Sequence, residues 1–122
     1  MITLYGLKNC DTCRKARKWL EENHLEHHFH DIRAEGLAPE TLAAWNGALG
    51  WEKLINRRGT TWRGLPEADK DGLDHVRALV LMAAHPALIK RPVFDIAGRY
   101  AIGFDETTKT LLRTNDNNGP SS

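Results

Sequence analysis

Ile2-Thr3-Leu4-Tyr5-Gly6-Leu7-Lys8-Asn9-Cys10-Asp11-Thr12-Cys13-Arg14-Lys15-Ala16 is the stretch on which the fold turns. Ile2 to Tyr5 is short, β-branched and aromatic, and it stops at Gly6, which predicts a buried first strand. Asn9-Cys10-Asp11-Thr12 then supplies helix-start residues. From Cys13 on, Ala16, Trp19, Leu20 and, past Asn23, Leu25 keep helical spacing. Arg14, Lys15, Arg17, Lys18, Glu21 and Glu22 fill the other faces. This is an amphipathic helix ending near Asn23-His24.

Outward from it, Glu26 to Ile32 alternates as a second strand, with His28, His30 and Ile32 on one face and His27, Phe29 and Asp31 on the other. Both faces mix polar and apolar groups, as at a sheet edge. Gly36 and Pro39 mark a break. Glu40 to Leu49 reads as a helix with a Leu42, Trp45, Leu49 stripe. Arg57 to Gly64 reads as a basic loop. Asp74 to His85 reads as a helix whose face is Val76, Leu79, Val80, Ala83 and Ala84, ended by Pro86. Pro92 to Ile96 and Tyr100 to Phe104 are strand-like runs joined by Ala97-Gly98-Arg99, a hairpin signal. Asp105 caps a last helix through Leu112.

The order predicts an α/β, thioredoxin-like fold (βαβ, then ββα) with an inserted helical subdomain at about residues 38–86. A right-handed crossover makes the first two strands parallel. One domain is expected over residues 1–113, followed by a disordered polar tail over 114–122.

The 122 residues carry 17 Lys and Arg against 16 Asp and Glu, a formal net charge of +1. This balance provides no global attraction to nucleic acid or acidic membranes. A chain of this length buries roughly 65% of its unfolded surface and needs no disulfide framework. Its two cysteines cannot build a secreted disulfide scaffold. The apolar start is too short for a signal-peptide core, and no run approaches the ~20 apolar residues of a membrane span. The expected location is the cytoplasm, where a Cys-x-x-Cys pair is redox-active or metal-binding.

Cys10 falls where the first loop meets the helix start, among unpaired N–H groups and the positive dipole end. Both favour a thiolate, the nucleophilic form. Lys8 and Arg14 add positive potential and Asp11 opposes them. Cys13 lies one turn inward, placed to resolve a mixed disulfide formed on Cys10. The competing reading is two small buried residues. A zinc site would need two further ligands; His27, His28 and His30 are the candidates, with side chains on opposite faces, so no metal is expected.

Leu4 to Ala16, Asn56-Arg57-Arg58-Gly59-Thr60-Thr61-Trp62 and Pro86-Ala87-Leu88-Ile89-Lys90-Arg91-Pro92-Val93 together resemble the family of glutaredoxin-coupled arsenate reductases, Spx regulators and YffB-like proteins, closest to the YffB-like branch. The resemblance spans about residues 2–113. It implies a thioredoxin-like core with a helical insertion, Cys10 as catalytic cysteine, Arg91 facing it before a cis Pro92, and Arg58 as a second basic position at the site. Lys8, Asn9, Thr12 and Arg14 join Arg58 and Pro92 as the substrate-binding set around Cys10, Cys13 and Arg91. A solvated loop is the plain alternative for Arg57, Arg58 and Arg63.

Two departures from the family pattern matter. The arsenate reductases carry a third arginine where Gly103 stands. Cys13 is absent from the arsenate reductases and many YffB-like proteins but present in Spx regulators, which bind the RNA polymerase α subunit through a surface that includes a glycine. Gly50 matches that glycine, although a glycine after a helix is also an ordinary C-cap.

The expected function is a cytoplasmic, glutathione-dependent thiol-disulfide oxidoreductase with glutathione as co-substrate. The alternatives are arsenate reduction through a Cys10 thiol-arsenate adduct and a redox-switched regulator on RNA polymerase. Glutathione or glutaredoxin is the expected partner of a monomer, with no direct nucleic-acid or membrane binding.

Overall fold

The computed structural model describes residues 2–118, with side chains through Thr114. β1 (Ile2–Gly6) lies between β2 (His27–Asp31), its parallel neighbour, and β3 (Val93–Ile96), its antiparallel one. β3 turns back into β4 (Arg99–Ile102), so the strand order is β2-β1-β3-β4. Parallel pairing demands a long crossover, and α1 (Asp11–Glu22) supplies it. β2 is an edge strand, one residue shorter at each end than expected. Asp31 cuts it short, its carboxylate accepting the N–H groups of Arg33 (2.9 Å) and Ala34 (3.1 Å), which starts α2 (Ile32–Glu35).

Alternation assigns the two sheet faces different jobs. Ile2, Leu4, Phe94, Ile96 and Ala101 face Cys13, Ala16 and Leu20 of α1 and Leu112 of α8 (Glu106–Asn118) in one cluster. The register sets Thr3, Tyr5, His28, His30, Asp95 and Tyr100 on the opposite face. α1 ends in a Schellman pattern: the N–H of Leu25 bonds to the carbonyl of Leu20 (2.9 Å) and that of His24 to Glu21 (3.1 Å), with His24 left-handed at φ 55°. The hairpin turn is Ala97-Gly98 alone, both at positive φ, and Arg99 already belongs to β4.

α8 begins after Asp105, whose carboxylate accepts the Thr108 N–H at 2.9 Å. The helix runs to Asn118, so residues 114–118 are helical rather than the start of a disordered tail. The rest of that expected tail lies outside the described residues.

Residues 36–90 form a second unit. It contains α3 (Pro39–Leu49), α4 (Trp51–Leu54), α5 (Thr60–Arg63), α6 (Glu67–Lys70), α7 (His75–Ala84) and a 3-10 turn at Pro86–Leu88. It is wider than the predicted 38–86. The Ile55–Ile89 bridge, with Lys90 N–H bonded to the Leu54 carbonyl at 2.7 Å, ties the following residues in. Leu42, Trp45, Leu54, Ile55, Ala78, Met82, Leu88 and Ile89 are buried there.

Two expectations fail in this unit. Thr60–Arg63 is a helical turn, not loop. α7 buries Ala78 and Met82 and leaves Val76 and Val80 57% and 64% exposed. A helix apolar nearly all round has no face that periodicity alone can choose. Tertiary contacts choose it: Arg77 donates to the backbone carbonyls of Ala68 (2.8 Å) and Asp71, and its N–H bonds to the capping Asp74 carboxylate at 2.9 Å.

Candidate thiol site

β1 runs out at Gly6, and the chain folds sharply: the Cys10 N–H donates to the Leu7 carbonyl at 3.2 Å. Cys10 takes the N-cap position of α1 with extended backbone, φ −97° and ψ 118°, and its carbonyl accepts the Arg14 N–H at 3.0 Å. A side chain at this position faces the first-turn N–H groups, where partial positive charge gathers. Cys10 is half-buried, Cys13 has no exposure, and both are free thiols.

Gly6 is needed by close approach rather than by an unusual backbone angle. A Cβ on it would stand 2.5 Å from the Cys13 sulfur and 3.3 Å from Leu4. Cys13 therefore occupies the space that a side chain at the end of β1 would need.

Arg91 reaches the site through sheet register. Tyr5 pairs with Val93 in an antiparallel ladder, so the residues before Val93 run alongside those after Tyr5. This brings Arg91 and Pro92 level with the loop that carries Cys10. The Arg91-Pro92 bond is cis, as the resemblance implied. The Pro92 carbonyl accepts the N–H of Gly103 at 2.8 Å, which ties this loop to the end of β4.

The two thiols are shifted in opposite directions. Burial pushes Cys10 up, but the Cys13 backbone N–H, the Cys13 thiol and then the hydrogen bond and charge of Arg91 outweigh it. The Cys10 thiol ends below its ordinary value. Cys13 is pushed up to about 12, first by burial and then by the nearby Cys10, against a hydrogen bond from the Leu7 backbone N–H. The pair thus holds one nucleophile and one protonated donor.

The structure brings Cys10, Cys13, Arg91 and Pro92 together. Lys8 and Asn9 are exposed on the loop and line a cavity of about 250 Å³ with Leu7, Asp31, Arg33 and Ala34. Thr12 is exposed in the first turn of α1. Arg14, in the first turn of α1, pairs with Asp11, both side chains exposed. Arg58 belongs to the 36–90 unit, where it lines a cavity with Glu52, Ile55, Asn56, Arg57 and Lys90. Its N–H donates to the Asn56 side chain at 3.1 Å, and its carbonyl accepts from Arg63 at 2.9 Å.

Sequence reading missed Gly6 as a packing partner of Cys13, Leu7 as a backbone donor to it, and Arg33 in the cavity wall. Strand alternation could have found Gly6, which shares a face with Leu4. The other two depend on tertiary contacts.

Comparison with known proteins follows the same outline. The ArsC family profile matches residues 5–112. An uncharacterized protein of Haemophilus influenzae is 48% identical over 106 residues, 87% of this chain and 93% of its own. The global transcriptional regulator Spx of Listeria innocua is 31% identical over 108 residues, 87% of this chain and 82% of the regulator. A solved YffB protein superposes with a TM-score of 0.87 at 44% identity, covering 92% of this chain and 98% of its own.

Proposed function

The chain belongs to the ArsC family, and from that premise we propose that it is a thiol-disulfide oxidoreductase that takes its electrons from glutathione. The placement of a half-buried free Cys10 at the N-cap of α1, one turn from the buried thiol of Cys13 and within reach of the Arg91 guanidinium, carries this reading.

In the proposed reaction the Cys10 thiolate attacks one sulfur of a disulfide substrate. A Cys10–substrate disulfide forms, and the other half leaves as a thiolate that takes a proton from solvent. Bonding to the substrate removes the Cys10 negative charge, one of the causes that keep the Cys13 proton on. Cys13 then loses its proton and attacks the Cys10 sulfur, releasing the second thiol and leaving a Cys10–Cys13 disulfide. Two glutathione molecules reduce that disulfide and emerge as oxidised glutathione.

Arg91 supports the first step by favouring the thiolate, and a guanidinium also pairs with a carboxylate through two parallel hydrogen bonds. Glutathione carries two carboxylates. Lys8 and Arg33 give the 250 Å³ cavity two cationic groups for such an anion. Asp31 in the same wall has its carboxylate engaged by the N–H groups of α2. Arg58, which the resemblance implies only as a second basic position, is tested by the KM for glutathione of Arg58→Ala.

Gly103 weighs against arsenate as substrate. The position that the resemblance matches to a third arginine holds a left-handed glycine at φ 88°, a backbone an arginine would adopt only with strain.

Intact mass measured after incubation with oxidised glutathione tests the reading. One glutathione adduct or an internal disulfide is expected in the wild type and neither in Cys10→Ser; equal modification of the two proteins refutes it.

A second reading rests on the Cys10-Cys13 spacing and the likeness to Spx: a regulator whose disulfide switches binding to the RNA polymerase α subunit. A pull-down with that subunit in both redox states decides it; binding in neither state ends it.

A further inference from the structure

The sheet face opposite the thiols carries a second cluster that the redox chemistry does not use. His28 and His30 lie two residues apart on edge strand β2, so their side chains leave the same face. Glu35, at the end of α2, joins them. One ligand atom from each of the three lies within 4.8 Å of the others. His27 leaves the other face of the strand, its Nδ1 lying 2.9 Å from the Leu25 carbonyl.

From this cluster we infer a site for a divalent d-block cation, with Zn2+ as the fitting ion, held by His28, His30 and Glu35. Two imidazole nitrogens and one carboxylate suit zinc, copper or nickel rather than calcium or magnesium, which prefer all-oxygen shells. Three protein ligands leave a fourth tetrahedral position for water or an exchangeable ligand, the open pattern rather than the closed structural one. Bonds of ~2.1 Å place ligand atoms roughly 3.4 Å apart in a tetrahedron. Closing from 4.8 Å needs only side-chain rotation, which an exposed His28 permits.

Two supports are already in place. The Glu35 carboxylate accepts the Asp31 backbone N–H at 3.0 Å, while the Asp31 carboxylate caps α2. This reciprocal arrangement holds Glu35 over the end of β2, as ligating carboxylates are commonly held by a second hydrogen bond. Tyr5, opposite His30 in the β1–β2 register, packs against its ring with centroids 4.8 Å apart. The plain competitor is an edge strand kept polar to prevent pairing with other chains; such an edge binds no metal.

Zn2+ titration of the tag-free, reduced full chain, followed by imidazole NMR, tests the site. The His28 and His30 ring signals are expected to move together and saturate at one equivalent while the His27 signals stay. A parallel Co2+ titration should show visible bands without thiolate-to-metal charge transfer at that equivalent. His28→Ala, His30→Ala and Glu35→Gln should each weaken binding by at least ~10-fold. Glu35→Gln retains an oxygen that can accept the Asp31 N–H, so the loss in that variant reports ligation rather than folding. Absence of saturable shifts at His28 and His30, charge transfer marking Cys10 and Cys13 as the ligands, or unchanged affinity in the three variants overturns the inference.

Discussion

Cys10 and Cys13 share the first turn of α1 yet live in opposite surroundings. Cys10 stands at the helix end, half exposed, with backbone N–H groups and the Arg91 guanidinium favouring its anion. Cys13 is fully buried against Gly6 and Leu4, where an anion has no water and meets a neighbouring thiolate. Two intervening residues, Asp11 and Thr12, thus separate a nucleophile from a proton-bearing reserve. Chain position supplies the pairing; packing supplies the difference.

Exchanging the two roles should have the largest effect. In a disulfide-exchange assay, Cys10→Ser is expected to fall to background, whereas Cys13→Ser keeps the first step and accumulates a Cys10 mixed disulfide. Equal impairment of both, with no adduct on Cys13→Ser, would break the comparison. Next comes Arg91→Ala, which removes a charge and a hydrogen bond from the thiolate. The pH–rate profile for Cys10 alkylation, whose midpoint in the wild type should fall below that of an ordinary thiol, is expected to move upward.

Filling the space beside Cys13 is the third intervention. Gly6→Ala puts a methyl group 2.5 Å from the Cys13 sulfur and should lower stability by about 1–3 kcal/mol in urea denaturation. Gly6→Ala combined with Cys13→Ala should recover part of that loss, because the sulfur that clashes is gone.

The smallest effect is the pH dependence of stability, and its sign differs between the thiols. Cys10 is lowered in the folded state, so it adds stability as pH rises from its folded value to the ordinary thiol value and keeps that contribution above it. Cys13 is raised to about 12. It contributes fully below the ordinary thiol value, and that contribution is lost as pH climbs towards 12. Urea titrations across these two windows should show the first slope flatten in Cys10→Ser and the second in Cys13→Ser.

Much of this was legible in the chain. α1 separates Cys13, Ala16 and Leu20 sharply from its charged residues, so both its existence and its buried face follow from spacing. α7 was legible as a helix but not in its rotation, since Val76 and Val80 are as apolar as Met82, and hydrogen bonds from Arg77 rather than periodicity decide which side faces inward. Arg91 could be singled out only by resemblance, because it stands 81 positions from Cys10 in the sequence and nothing in its own neighbours marks it. His28 and His30 were visible as a same-face pair, while Glu35 became their partner only through the Asp31 cap.

The sequence by itself determined the local geometry: a strand stopped by glycine, cysteines one turn apart at a helix start, a hairpin turn around Gly98. Such features depend on steric and capping preferences that act over a few residues. Tertiary structure decided how deeply Cys13 is buried beside the Cys10 thiolate, how Arg91 comes to it and which face of α7 is buried. Charge and desolvation act through space, and the register of β1 against β3, not separation along the chain, sets how near Arg91 comes to Cys10.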